Sequence, residues 1–215
     1  YKDFFRKKVE LLLGGWEGQE QDNSSIKINN NQLTILHLGS MLHGTRSITP
    51  MITLMEQFPE IAKDFKFSFV GRDSKLFQDQ VNKSIAKESF TLSNQVSYKE
   101  AEKIGFSADI LLILMQDNPM SKYTLTGKIF EYIKFHKPII CFDPYDSEAS
   151  SMIKKYNMGH VVRSLEEFSD LLKSKKTINQ FSRISSEDRL QFSRESQITN
   201  LLKFMKTAIR DFSNH

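Results

Sequence analysis

Lys128 and Glu131 are the first residues whose types and spacing suggest chemistry. They stand three apart in Lys128-Ile-Phe-Glu-Tyr132, directly after the polar, glycine-ended stretch Ser121 to Gly127. That spacing puts both on one face near the start of a helix. The start of a helix favours anions through its dipole, so a lysine there is at the wrong end. An anionic ligand such as a phosphate explains a cation in that position. A glutamate one turn further in can accept hydrogen bonds from two neighbouring ribose hydroxyls, as acidic residues do in other nucleotide sites. The alternative is an ordinary surface ion pair. Ile129, Phe130 and Ile133 speak against it, because they set this helix in the core.

Two earlier loops repeat the logic more weakly. Gly39-Ser-Met-Leu-His-Gly-Thr-Arg46 joins a strand to a helix. Its glycine lets a ligand approach the backbone, the following helix start favours an anion, and Arg46 would add a charge-assisted contact. Read alone, the loop favours a plain turn with a solvated arginine. Gly71-Arg-Asp-Ser74 ends another strand, and Arg72 is either a phosphate clamp or a surface arginine beside Asp73. Neither loop is a G-x-G-x-x-G fingerprint or a P-loop, and no G-x-S-x-G is present, so dinucleotide binding, P-loop hydrolysis and serine hydrolysis lose support. His37, His43 and His136 lack metal-ligand spacing.

The elements that must position these residues are read from periodicity. Leu33 to Leu38, Phe65 to Val70, Asp109 to Leu114 and Pro138 to Phe142 are short apolar runs, as in strands buried on both faces. Weaker strands are expected at Thr91 to Val96 and His160 to Val162. Helical spacing links Ile52, Met55, Phe58 and Ile61, then Ala101, Ile104 and Ala108 after a cap at Ser97, then Ile129, Phe130 and Ile133. Asp146 and Ser147 can cap a further helix that runs to Asn157. Strands and helices in alternation predict a Rossmann-like, three-layer α/β domain with a parallel sheet of about six strands. One long helix is expected over 185–212, with an apolar stripe of Ile198, Leu201, Leu202, Met205, Ile209 and Phe212. Val9 to Leu13 reads as a strand, followed by a glycine turn and a polar linker. The division is therefore 1–32 as linker and remnant of a preceding domain, 33–180 as the α/β domain, and 181–215 as the C-terminal helix. That helix would pack on the domain or on the preceding one.

Composition narrows the classes. The 215 residues carry a net charge of +4, with 26% charged and 39% hydrophobic residues, as in a globular chain with one core. The basic residues are scattered, so no nucleic-acid partner is expected. Cys141 is the only cysteine and lies in an apolar run; it reads as a buried small hydrophobe and suits a reducing cytosol. The longest apolar run, Ile110 to Met115, is too short to span a bilayer. No signal peptide is visible, and the chain begins at Tyr1. A cytoplasmic location is expected.

At this point the residues resemble a known family. Thr126-Gly-Lys-Ile-Phe-Glu-Tyr-Ile-Lys-Phe-His-Lys-Pro-Ile-Ile140 is similar to the "P-x-K-hydrophobic-x-E-Y…G-K-P-hydrophobic" signature of group 1, glycogen-synthase-like retaining glycosyltransferases of the GT-B fold. Ala108-Asp109 and the strand after it resemble the strand before that family's donor loop. Leu36-His-Leu-Gly-Ser40 with Arg46 resembles its first C-domain strand and phosphate loop, Phe69-Val-Gly71 its second strand end, and Gly14-Gly-Trp-Glu17 the turn leading out of its N-terminal domain.

The resemblance implies the donor-binding half of a two-domain enzyme. That enzyme moves a sugar from a nucleoside diphosphate to an acceptor hydroxyl with retention and without a metal or cofactor. It implies that Glu131 holds the ribose, Lys128 and Arg46 the diphosphate, and the backbone at Thr126 and Gly127, like that at Gly39, a phosphate or the sugar. Ser97 and Tyr98 would lie near the base, and Arg72 could supplement the phosphate charge. The acceptor, a carbohydrate or a lipid-linked one, would sit mainly on the missing N-terminal domain. That domain could also bring the protein to the inner face of a membrane. Two positions depart from the family: Tyr123 stands where a first glutamate is frequent, and Ser40 where an arginine is. They keep open an inactive nucleotide-binding domain of the same fold. A nucleotide-sugar epimerase of GT-B architecture is the other alternative.

Overall fold

A computed structural model of the chain describes residues 13–17, 32–41, 46–175 and 180–213. Among them are six strands: β1 (Leu33–Leu38), β2 (Phe65–Val70), β3 (Phe90–Ser93), β4 (Ile110–Leu114), β5 (Ile139–Phe142) and β6 (Gly159–Val162). All neighbouring pairs are parallel, in the order β3-β2-β1-β4-β5-β6. Between and after them run α1 (Thr49–Gln57), α2 (Gln78–Lys83), α3 (Tyr98–Ser107), α4 (Lys128–Phe135), α5 (Glu148–Lys155), α6 (Leu165–Ser174), α7 (Ser186–Leu190) and α8 (Arg194–Ser213).

Alternate strand residues face opposite sides of a sheet, and two cores result. Leu36, Val70, Leu111, Ile113 and Cys141 pack under α3, α4 and α5. Ile35, Phe67, Phe69, Leu112 and Ile140 pack under α1, α2 and α6. The chain is thus a Rossmann-like three-layer α/β domain with helices on both faces. Strand order reverses between β1 and β4, and a crevice opens at such a switch point, beyond the strands' C-terminal ends.

Ser97 and Ser147 cap α3 and α5 as expected, each accepting a backbone N–H three residues on. The third strand is shorter than the sequence suggests, ending at Ser93. Asn94 to Val96 instead lead into the Ser97 cap.

The C-terminal helix expected as one piece is two. The break at Gln191 to Ser193 is filled by Trp16. Its N–H donates to the Phe192 carbonyl at 3.1 Å, its carbonyl accepts from Arg194 N–H at 3.0 Å, and its indole donates to the Arg189 carbonyl at 3.2 Å. These backbone groups bond across the chain in place of a continued helix. Along α8 the large side chains Ile198, Leu202, Met205 and Ile209 are exposed, so the described residues leave the apolar stripe uncovered. The expected strand over Val9 to Leu13 falls mainly outside the described residues, as does His43.

Candidate functional site

The C-terminal end of β1 is held by a tyrosine from α4. The Tyr132 hydroxyl accepts the Leu38 N–H at 2.8 Å. It lies 3.3 Å from the Leu38 carbonyl and 3.2 Å from that of Leu112, to which its proton can be given. Burial pushes its pKa up, so it stays a neutral phenol. One residue further in along β1, His37 is fully buried beside the same Leu112 carbonyl, with Nδ1 3.0 Å away. A carbonyl can only accept, so Nδ1 carries the proton. Burial first, and then the nearby charge of Lys128, lower the His37 pKa to about 3. The imidazole is neutral, and its role here is to pack and to fix β1 against β4.

Past β1, Gly39 has φ +115°, a conformation that favours glycine. The position needs glycine for a second reason: a Cβ there would lie 2.6 Å from the Lys128 ammonium. That ammonium donates to the Ser40 carbonyl at 3.3 Å, and among the described residues no carboxylate pairs with it. Lys128 therefore sits at the first turn of α4, partly out of water, opposed by the helix dipole and facing Arg46. Burial first, and then the Arg46 charge, lower its pKa to about 8.

Glu131 lies one turn along α4. Desolvation raises its pKa, partly offset by the charge of Arg194. It makes no ion pair with Lys128 among the described residues. Both side chains line a cavity of about 320 Å³ between α3 and α4, with Leu38, Gly39, Tyr98 and Tyr132. The cavity size is at the lower end of those that hold small ligands. Its inner wall adds two residues missed at the sequence level, Glu102 and Lys134, which form an ion pair. Lys134 also lies over the Tyr98 ring, its ammonium 5.5 Å from the centroid. A signal for Glu102 existed: it is four residues after Tyr98, on the same face of α3.

The sequence-predicted residues thus divide. Gly39, Tyr98, Lys128 and Glu131 come together in one cleft. Thr126 is buried behind it, its carbonyl accepting Ile129 N–H. Gly127 precedes α4 with φ −59°, and an added Cβ would meet nothing within 4 Å. Arg46 stands at the far side of the switch point, its Nε donating to the Leu114 carbonyl at 3.1 Å. Ser97 spends its hydroxyl as the α3 cap. Arg72 is exposed and lines neither this cleft nor the second cavity described below.

Among the described residues no three His, Cys, Asp or Glu side chains are grouped to hold a metal ion. No described helix is long and apolar enough to cross a membrane. Beside the paired Lys134 and Glu102, the arrangement offers the Lys128 ammonium, the Glu131 carboxylate a turn away and the edge of Tyr98, which together suit an anionic, hydroxyl-bearing ligand.

No protein-family model matches the sequence, and no curated protein does. Solved structures do. The chain is similar to WaaG, a glycosyltransferase involved in lipopolysaccharide biosynthesis, at 17% identity over 80% of this chain and 49% of that one, TM-score 0.58. It is similar to Anabaena Alr3699/HepE in complex with UDP-glucose at 12% identity, over 82% and 49%, TM-score 0.60. A Listeria monocytogenes protein described as a UDP-N-acetylglucosamine 2-epimerase also matches, at 11% identity over 84% and 46%, TM-score 0.51. The chain spans about half the length of each. At these identities the likeness is one of fold.

Proposed function

We propose that the cleft between α3 and α4 binds the nucleoside diphosphate of a nucleotide sugar, and that the chain is the donor-binding half of a retaining glycosyltransferase. The observation that carries this reading is Lys128. It is a cation partly removed from water at a helix start, without a carboxylate partner among the described residues, beside a glycine whose missing side chain makes room for it. Such a group is costly until an anion arrives. In this reading Lys128, at the start of α4, holds the diphosphate, Glu131 accepts from the ribose hydroxyls, and Tyr98 borders the base. As the glycosidic bond breaks, negative charge grows on the leaving diphosphate. A cation already in place stabilises that charge without reorganising. No metal or cofactor enters the scheme. The acceptor would come from a second domain that covers the exposed stripe of α8.

Calorimetric titration of the chain with UDP-, GDP- and ADP-sugars tests the proposal. Saturable binding to one of them is expected, with Glu131→Ala weakening it by about tenfold, the worth of one charge-assisted hydrogen bond. If no nucleotide binds, or if Glu131→Ala binds as wild type does, the assignment fails.

Gly127→Ala supplies a sharper contrast. Its backbone is already helical and its surroundings are open. Thermal stability should hold or rise, by about 0.4–1 kcal/mol. If the diphosphate rests on this backbone, the added methyl occupies its place and affinity falls. Unchanged affinity would remove Gly127 from the site.

A further inference from the structure

A second, larger cavity of about 810 Å³ opens on the opposite side of the sheet from the α3–α4 cleft, at the C-terminal ends of β4 and β5. Its walls are apolar: Pro50, Leu76, Phe77, Phe142, Pro144 and Leu165 line it. Leu76 is 62% exposed. An apolar surface left in water is unfavourable, and a concave one at the strand ends of an α/β sheet is a place where ligands bind.

The polar groups on this wall are few and differ in their state. Asp117 is engaged by the Tyr145 hydroxyl. Thr53 and Thr49 lie on α1. Arg46 is the cation of the lining. One of its five N–H donors is spent on the Leu114 carbonyl, which anchors the guanidinium. Among the described residues no carboxylate pairs with it. The cavity therefore combines an apolar body with one oriented, uncompensated cation.

We infer that this cavity is a separate binding site for a free single-chain amphiphile with an anionic head, the head on the Arg46 guanidinium and the chain along α1 and the start of α6. Charge complementarity selects the head, since a cationic or neutral head leaves Arg46 without its counter-ion. The chain accounts for the walls, which a small inorganic anion would leave wet. The inference stands whether or not the α3–α4 cleft binds a nucleotide.

The test is calorimetric titration of the full chain with octyl phosphate below its micelle concentration, beside octyltrimethylammonium, octyl glucoside and inorganic phosphate. Octyl phosphate should saturate one site, with the other three at least about tenfold weaker, the worth of one charge-assisted contact or of the buried chain. Thr53→Trp sets an indole in the cavity and should cut octyl phosphate affinity by about tenfold or more. Arg46→Gln keeps length without charge and should erase the difference between octyl phosphate and octyl glucoside; this arm decides the matter should Thr53→Trp fail to melt cooperatively. The inference is overturned if octyl phosphate does not saturate, if the cationic or neutral amphiphile binds equally well, or if a folded Thr53→Trp chain binds like wild type.

Discussion

Lys128→Ala is expected to weaken binding of a nucleoside diphosphate by about tenfold to a hundredfold at pH 7, the worth of roughly 1.5–3 kcal/mol for a hydrogen bond to a charged group. The effect should carry its own pH signature. In the ligand-free chain Lys128 ionises near pH 8, because burial and the Arg46 charge disfavour the ammonium. A bound phosphate favours the ammonium and raises that value. Only the charged form attracts the anion, so affinity is full below pH 8 and falls as pH rises through it. Titrations at pH 6.5, 7.5, 8.5 and 9.5, in order of increasing alkalinity and each about one unit apart, would trace the fall. In Lys128→Ala the fall should vanish. A wild-type affinity that does not change across pH 8 would remove Lys128 from the phosphate site.

The same lysine should cost the empty chain stability. Its folded pKa lies below the unfolded value of 10.5. The folded state therefore disfavours the proton, and stability is gained as pH rises from about 8 toward 10.5 and lost as it falls again. Lys128→Met, which keeps the stem and drops the charge, should melt higher than wild type at pH 7 without ligand. Stability gained where binding is lost is what a site built for an anion gives.

The other large effect concerns Gly71. Its φ is +150°, and a Cβ there would fall on the Gly39 carbonyl. The neighbours cannot give way easily: Gly71 N–H donates to the Ser93 carbonyl at 3.1 Å, and Gly39 N–H to that of Val70 at 2.8 Å. Gly71→Ala should therefore cost roughly 2–5 kcal/mol, from backbone strain and overpacking together. At about 2–4 °C per kcal/mol for a chain of this size, the melting temperature should drop by roughly 10 °C. Gly127→Ala is the internal control, being the same substitution with open space around it. A Gly71→Ala chain that melts like wild type would show that the loops after β1 and β2 do not approach as described.

Gly71 also shows where sequence reading stops. At the sequence level it was a glycine at a strand end, useful for its freedom. The structure makes it a spacer between two strand ends, because β1 and β2 run parallel in register and bring Gly39 and Gly71 side by side. Tyr132 changed more. It was one letter in a motif, and it became the clasp that ties α4 to the end of β1. Neither role leaves a periodic signal, since each depends on residues more than thirty positions away. The single helix expected over 185–212 breaks for the same reason: its serine caps and apolar stripe are local signals, but Trp16, arriving from the far end of the chain, takes the hydrogen bonds at the break.

What the sequence determined by itself was everything local or periodic. Apolar runs of strand length, amphipathic helices and serine caps were enough for a parallel α/β sheet and for the loops at its C-terminal edge, because burial on one or two faces writes itself into residue order. The lysine at the wrong end of α4 was legible too, since a helix dipole is a local property. Tertiary structure alone decided which of those loops meet. It joined Gly39, Tyr98, Lys128 and Glu131 in one cleft, added Glu102 and Lys134 to its wall, left Arg72 in solvent and turned Arg46 toward a second cavity. Strand order carries the physical reason. The reversal between β1 and β4 sets the chain's loops on two faces of the sheet, and no spacing along the sequence records on which face a side chain will close.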